Sequence, residues 1–508
     1  MKNILEHLEE TVLKYPSKIA LADENRQVSF LSLMNNSQKI AGALKHLSRN
    51  SPVAIMTDRS AKCVEAMFAA VYAGCFYTVI DIDSPINRIT EIFKTLKPQA
   101  VITDLAHLEL AGRVYKGNTI TVYEQAIQAP ADLRFIKGVR DRMVDADPLY
   151  VLFTSGSSGI PKGTVVSHRS VISYIDWVTG EFGFDDATVF GSQTPLYFSM
   201  SVTDLYSTMK CGCTYDIIPK ALFSFPVKLI EHLNSRRVNT LYWVPSALAI
   251  APNWDLFQYA MPEHLEKVLF AGEVMPTRHL NYWMSHLPEC TYANLFGPTE
   301  TTDICTFYVV DRSFDDSEIL PIGKACDNCD VFLLTEDGRM ANPGQEGELV
   351  VRGAFLADGF YNDPVKTAAA FCQNPLNTAY PDRIYRTGDL VRLNERGEYV
   401  YISRKDNQIK RMGYRIELGE VEAAANSMGS IRASAALYDS ASKQLLLVCD
   451  ARGAEAGSIS EHLKDMLPDY MLPDRLISVD AMPYNANGKI DRSKLNEIYI
   501  KRNSEVQI

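Results

Sequence analysis

Through most of its length the chain alternates short β-rich runs with helix-like stretches, and that alternation constrains the fold more than any other feature. Ser51–Thr57 (SPVAIMT), Cys75–Asp81 (CFYTVID) and Ala100–Asp104 (AVITD) have strand length and strand composition, and Lys62–Ala73 between the first two reads as an amphipathic helix. The pattern continues at Leu149–Thr154, Thr214–Ile218, Thr240–Val244 and Lys267–Ala271. Strands separated by helices predict α/β layers around largely parallel sheets, because a parallel neighbour is reached only through a crossover. After about residue 320 the dipeptides Asp337-Gly338, Pro343-Gly344 and Arg396-Gly397 divide short strands at Asp330–Leu334, Gly347–Arg352, Leu390–Leu393 and Tyr399–Ile402. That texture predicts an antiparallel, β-barrel-like subdomain. The last hundred residues return to mixed α and β, with helices over Glu417–Met428 and Ile459–Met466 and strands over Ser434–Tyr438 and Gln444–Cys449. A boundary falls near Arg404–Asp406, in the polar run SRKDNQ.

The 508 residues suit two to four domains at roughly 100–200 residues each. Lys and Arg number 51 against 62 Asp and Glu, a net charge of −11. Without a long basic run this argues against a general nucleic-acid binder, whose affinity comes mostly from phosphate contacts. A local basic pocket for a nucleotide remains compatible with it. The opening MKNILEHLEETVLKYP has early acids and no apolar core, so it reads as an amphipathic helix rather than a secretion signal. Met67–Ile80, the most apolar stretch, falls short of the about 20 residues that span a bilayer. Cys326 and Cys329 form a CxxC with no His or second pair at ligand spacing, and Cys211-Gly212-Cys213 is no better, so the ten cysteines read as reduced structural thiols. The expectation is a cytoplasmic protein without a membrane span.

Residues 150–163 read YVLFTSGSSGIPKG. A strand-like run ends in Thr154-Ser155-Gly156-Ser157-Ser158-Gly159, and Lys162 follows. Small residues let backbone N–H groups approach an anion and the hydroxyls add donors, so this is a candidate phosphate cradle. It is not a Walker loop, because Gly156 and Gly163 are out of register and Lys162 precedes the second glycine. The alternative is a solvent-exposed Ser/Gly linker, although such linkers seldom join two buried strands directly.

Phe153–Gly163 (FTSGSSGIPKG) resembles the phosphate loop of the adenylate-forming enzymes: acyl-CoA synthetases, luciferases and nonribosomal-peptide adenylation domains. Further motifs follow in order: Asn294–Thr302 (NLFGPTETT), Tyr385–Leu390 (YRTGDL), Arg404–Glu422 (RKDNQIKRMGYRIELGEVE), Leu467–Pro473 (LPDYMLP) and Asn487–Arg492 (NGKIDR). The resemblance runs from about residue 30 to 492. RIELGEVE and NGKIDR are similar to the amino-acid branch, which includes stand-alone D-alanine:carrier-protein ligases. With no LGG-x-S carrier motif and no HHxxxDG condensation motif, the chain resembles a free-standing ligase.

The resemblance implies a fold and a division of labour. The fold is α/β: a large N-terminal domain of layered αβ subdomains plus a β-barrel-like subdomain over 1–404, a hinge at 405–406, and a small mobile α+β C-terminal domain over 407–508. It implies two half-reactions. A carboxylate attacks the α-phosphate of ATP and pyrophosphate leaves; a thiol then attacks the acyl carbon and AMP leaves. Lys489 matches the lysine that contacts carboxylate and phosphate, and Asn487-Gly488 before it reads as a tight turn. Glu300 matches the Mg²⁺ ligand and Thr299 an α-phosphate contact. Asn294 matches the adenine reader, Phe296 the stacking ring where Tyr is usual, and Asp389 and Arg404 the ribose contacts. Thr154, Ser155, Gly156, Ser157, Ser158, Gly159, Lys162, Gly272, Glu273, Gly297 and Tyr401 complete the implied ATP site. Without the motif, Asp389 after Thr-Gly reads as a plain turn residue. Asp406 matches the hinge, across which Lys489 and the Lys410–Tyr414 segment take turns at the site.

The implied acyl pocket comprises Phe198, Ser199, Met200, Thr203, Tyr242, Leu269, Ala271, Leu295, Asp303 and Ile304, with Lys489 at its mouth. Members that take α-amino acids typically carry Asp where this chain has Ser199, and a buried ammonium without a charged partner is costly. One reading is an amino acid with its ammonium placed elsewhere, a β-amino acid or an amine-bearing side chain, with Asp303 as partner. The other is a non-amino acid, aryl or hydroxy, with Asp303 meeting another polar group. Asp204 is a weaker partner, expected in the first turn of a helix. The chain thus reads as an ATP- and Mg²⁺-dependent acid–thiol ligase that loads a separate carrier protein, or alternatively CoA. A degenerate adenylate binder is opposed by the presence of Glu300, Asp389 and Lys489.

Overall fold

The helix Leu5–Lys14 forms as the opening pattern predicts, with Leu5, Leu8, Thr11 and Val12 buried on one face. The computed structural model describes residues 1–156, 160–405, 408–451, 455–484 and 490–501. These divide into two compact units, one of Met1–Ile82, Thr95–Phe153 and Gly163–Lys405, the other of Asp83–Lys94, Thr154–Lys162 and Asp406–Ile508.

The first unit is built on the expected parallel sheets. Strands 19–22, 214–217, 189–192, 240–243, 267–270 and 291–296 lie side by side and parallel, with 306–309, 324–325 and 27–29 added antiparallel at the two edges. A seven-stranded sheet holds 148–154, 76–79, 52–56, 100–103 and 120–122 in parallel register, extended by 162–167 and 359–360. The helix Ala61–Tyr72 corrects one expectation: every residue but Lys62 is buried, so it is not amphipathic. It packs on strands 52–56 and 76–79 and is also covered by helix Phe30–Gly42, so even its Glu65 is buried, where Arg26, Asn36 and Tyr123 serve the carboxylate.

The antiparallel subdomain is present as predicted, with 329–334, 347–353, 383–393 and 371–373 in order and 399–404 paired to 383–393. One strand differs. The sequence suggested a start at Leu390, whereas the strand runs unbroken over Arg383–Leu393. The register opposite it jumps, Glu348 pairing Leu390 and Val350 pairing Arg386, so Thr387-Gly388-Asp389 is a bulge inside the strand rather than a turn. Glu348 holds the bulge, accepting from the Gly388 N–H (3.1 Å) and Arg386 Nε (3.0 Å).

In the second unit strands 431–439 and 444–451 are antiparallel and 475–479 is parallel to 444–451. Alternate residues face two apolar clusters: Ala436, Leu445, Leu447 and Cys449 on one side, Ala435, Leu437, Leu446 and Val448 on the other. Helices Leu418–Asn426 and Ala456–Met466 supply further side chains to the first cluster. The ten cysteines are all free. Among the described residues no helix is long and apolar enough to cross a membrane.

Two buried histidines, His7 on the N-terminal helix and His168 beneath its start, sit in this region. His168, first residue of helix 168–181, accepts the Ile4 N–H on Nδ1 (3.2 Å). Burial lowers it from 6.5 to about 3, and lowers His7 to about 4. Both are neutral in the folded chain while the unfolded chain protonates near 6.5, so folding stability falls as pH drops below 6.5. The expected loss is about 1.4 kcal/mol per pH unit per histidine between the two values. His168→Gln, which can still accept the Ile4 N–H, should flatten this acid limb in denaturation midpoints measured from pH 7 to 4; an unchanged limb would contradict the assignment.

Candidate active site

In the first unit the implied pocket residues gather at the C-terminal ends of adjacent parallel strands, the place where open α/β sheets bind ligands. Tyr242 and Leu269 are register partners near the ends of strands 240–243 and 267–270, Ala271 follows the second, and Leu295 lies at the end of 291–296. All four are buried. Met200, Thr203 and Ile304 are buried too, whereas Phe198 and Ser199 are partly exposed.

The chemistry of this cluster centres on Asp303, only 2 % exposed. The hydroxyls of Thr203, Tyr174 and Tyr242 lie 2.9, 3.0 and 3.1 Å from its Oδ2, each able to donate. Burial pushes both phenols well above their ordinary range and the charge of Asp303 adds to it, so they remain donors. Tyr174 was not among the expected residues; it sits on helix 168–181, about 130 residues before Asp303, with no motif to mark it. Ser199 does not reach this group, and its Oγ lies 3.2 Å from Thr299 Oγ1.

Asp204 occupies the first turn of helix 201–211 as expected, fully buried. Neither carboxyl oxygen has a hydrogen-bond partner of normal geometry, the Ser192 hydroxyl being turned to the Tyr215 oxygen (3.0 Å). Burial holds its pKa well above the carboxylate range, the Ser192 hydroxyl opposing this only in part and the charge of Asp303 adding to it. With no hydrogen bond of normal geometry at either oxygen, Asp204 is not poised as Asp303 is, which leaves Asp303 as the stronger candidate.

The NLFGPTE segment runs from strand 291–296 into a short 3₁₀ turn over 299–301. Asn294 donates to the Pro321 carbonyl (2.8 Å), and the Phe296 ring meets Tyr401 at 5.9 Å between centroids. Glu300 is fully buried, and its carbonyl accepts the Ala357 N–H (2.9 Å). Gly297 leaves no room for a side chain: a Cβ there would lie 2.3 Å from the Asp303 carbonyl and 2.6 Å from Ile304 Cα. Gly272 has φ +92°, and Glu273 beside it accepts the Ser246 N–H (2.9 Å). The bulge presents Asp389 opposite Arg404, whose Nη1 donates to it (2.7 Å) while Nη2 reaches the Thr387 carbonyl (3.1 Å).

The second unit carries the start of the glycine-rich loop. Thr154 and Ser155 are buried, and Lys162 opens the next strand. Ser155 Oγ donates to the Arg415 carbonyl (2.6 Å) and accepts the Glu417 N–H (3.2 Å). The Gly156 N–H donates to Glu420 (3.3 Å), which is ion-paired to Arg88. Lys410 lies opposite Arg415 in the hairpin 408–411/414–417, which turns at Met412 and Gly413, both with positive φ. Ser157, Ser158, Gly159, Asp406 and Lys489, together with the Asn487-Gly488 turn, lie outside the described residues.

Parallel strands thus end at a glycine-held turn that carries Glu300, with an Asp389–Arg404 pair on a bulged strand of the same unit. Residues 8–361 match the family described as AMP-binding enzyme, and the chain belongs to it. It is 31% identical over 97% of its length to the D-alanine–D-alanyl carrier protein ligase of Lacticaseibacillus rhamnosus, covering 98% of that protein. It is equally identical, over 97% of its length and 99% of the other, to an L-proline–[L-prolyl-carrier protein] ligase of Pseudomonas fluorescens. The o-succinylbenzoate CoA synthetase of Bacillus subtilis shares the fold with a TM-score of 0.83 at 19% identity, over 98% of each chain. The chain is an adenylate-forming ligase that activates a carboxylic acid.

Gly297→Ala should displace residues 303–305, because the contacts are to backbone that cannot rotate away. The variant is expected to melt below the wild type and to lose most ATP–pyrophosphate exchange; unchanged exchange would show that the close approach is dispensable.

Proposed function

We propose that the enzyme activates an amine-bearing acid other than a standard α-amino acid, a β-amino acid or one with an amine further along, and transfers it to the phosphopantetheine thiol of a separate carrier protein in the cytoplasm. The observation that carries this reading is the buried Asp303 ringed by three hydroxyls, while Ser199 stands where α-amino-acid members hold their carboxylate. The carboxylate is a fixed negative pole for an ammonium, set among the apolar Leu269, Ala271, Leu295 and Ile304. The carrier-protein ligases among the relatives support the acceptor.

In this reading the acid's carboxylate oxygen attacks the α-phosphorus and pyrophosphate leaves with the bond electrons. Lys489 supplies positive charge to the crowded oxygens, and Thr299 donates to the α-phosphate. A carboxylate oxygen such as that of Glu300 is the hard donor that Mg²⁺ prefers, and the ion would screen the phosphate charges. Asn294 and Phe296 hold the adenine, with Gly272, Glu273, Gly297 and Tyr401 around it, and Asp389 and Arg404 take the ribose. Thr154–Gly159 and Lys162 take the β- and γ-phosphates. Segment 407–508 works as a lid hinged at 405–406, bringing Lys489 for the first step and Lys410 for the second. The Ser155 hydroxyl and Gly156 N–H, now engaged by residues 415–420, must be released to meet phosphate.

Pyrophosphate exchange over β-alanine, β-phenylalanine, 2,3-diaminopropanoate, alanine, benzoate and lactate tests the substrate class. Amine-bearing, non-α acids should give the fastest exchange; preference for benzoate or lactate would overturn the reading. Asp303→Ala should weaken the amine-bearing acid by roughly 3–5 kcal/mol, the cost of removing a buried charge partner, with little change in KM for ATP. Lys489→Ala should abolish exchange yet still form thioester from supplied acyl-adenylate; near-normal exchange would remove that lysine from the first step.

A further inference from the structure

Thr302, between Glu300 and Asp303, has φ +69° and ψ −59°. The Asp303 N–H donates to the Thr301 carbonyl at 2.8 Å, closing a three-residue ring. This is the γ-turn of positive φ, rare and strained, and a β-branched residue is the worst suited to it. Strain of this kind persists only where the surroundings impose it, and here they do. Thr302 Oγ1 donates to the Phe355 carbonyl (2.7 Å), and the Thr301 N–H and Oγ1 both reach the Pro298 carbonyl (2.9 Å each). The Ala357 N–H holds the Glu300 carbonyl (2.9 Å), and the Cys305 N–H holds that of Phe296 (2.8 Å). Thr301 and Thr302 are fully buried.

We propose that Thr302 is a positioning residue for acid selection: its turn, strapped to Phe355, reverses the chain within three residues and so aims Asp303 at the Tyr174, Thr203 and Tyr242 hydroxyls. The inference rests on the reading of Asp303 as the partner of the substrate's amine. A relaxed helical or extended backbone at 302 would rotate the peptide that carries Asp303, and a carboxylate moved by one ångström loses its alignment with both hydroxyls and ammonium. The hydroxyl of Thr302 and the turn are separable contributions. Serine keeps the strap, valine keeps the branched shape without it, and glycine takes the turn without strain but without the strap.

The test uses the full chain and the panel acid of fastest exchange. T302V and T302G should raise the KM for that acid at least about tenfold while leaving the KM for ATP unchanged, and T302S should restore wild-type values. T302G should keep a wild-type melting temperature, so that loss of selection is read apart from loss of fold; if T302V does not fold, T302G alone decides. Wild-type acid KM in folded T302G overturns the proposal. Asp303→Asn separates the two levels: if its acid KM is also unchanged, the amine-partner reading has failed, and if it rises while T302G does not, only the role of Thr302 has failed.

Discussion

A carboxylate buried among apolar strand ends costs several kcal/mol unless hydrogen bonds replace the water it loses. Asp303 obtains them from three separate elements: helix 168–181 through Tyr174, helix 201–211 through Thr203, and strand 240–243 through Tyr242. Those elements must therefore be brought to one point, and the parallel register of the central strands does so. The turn that delivers Asp303 passes against Gly297, where a side chain would clash, and Thr302 within it is tied to Phe355. Packing, backbone strain and one buried charge form a single problem with a single solution.

The neighbouring Asp204 makes the same point by contrast. It is as buried as Asp303, but neither of its oxygens has a hydrogen-bond partner of normal geometry, and burial raises its pKa. Two acids of the same type thus sit in different surroundings, three hydroxyls around one and no partner of normal geometry at the other.

In the second unit the start of the glycine-rich loop is served by its own chain. The Ser155 hydroxyl and the Gly156 N–H meet the 415–420 segment, the amide through the Glu420 carboxyl group. Donors suited to phosphate are occupied by a backbone carbonyl and a carboxylate, the substitutes that the same chemistry accepts. The Arg88 partner keeps that carboxylate from lying uncompensated in a buried position.

Local order along the chain was enough for the parallel and antiparallel layers, because strand and helix periodicity is written in adjacent residues. The motifs NLFGPTE and YRTGDL likewise marked the segments that carry Glu300 and Asp389. What adjacency does not encode is who meets whom. Tyr174 lies far from Asp303 in sequence and on an ordinary helix, so its role exists only once helix and sheet are packed. Thr387-Gly388-Asp389 has the composition of a turn, and only pairing with Glu348 and Arg404 makes it a bulge inside a strand. Helix 61–72 has two charged residues, Lys62 and Glu65, that suggest an exposed face, yet sheet and helix cover it and bury Glu65. The resemblance carried by the ordered motifs was sufficient to name the class of chemistry. Which acid is served by hydroxyls, and where it points, followed from burial and hydrogen bonding, which are properties of distances between residues remote in sequence.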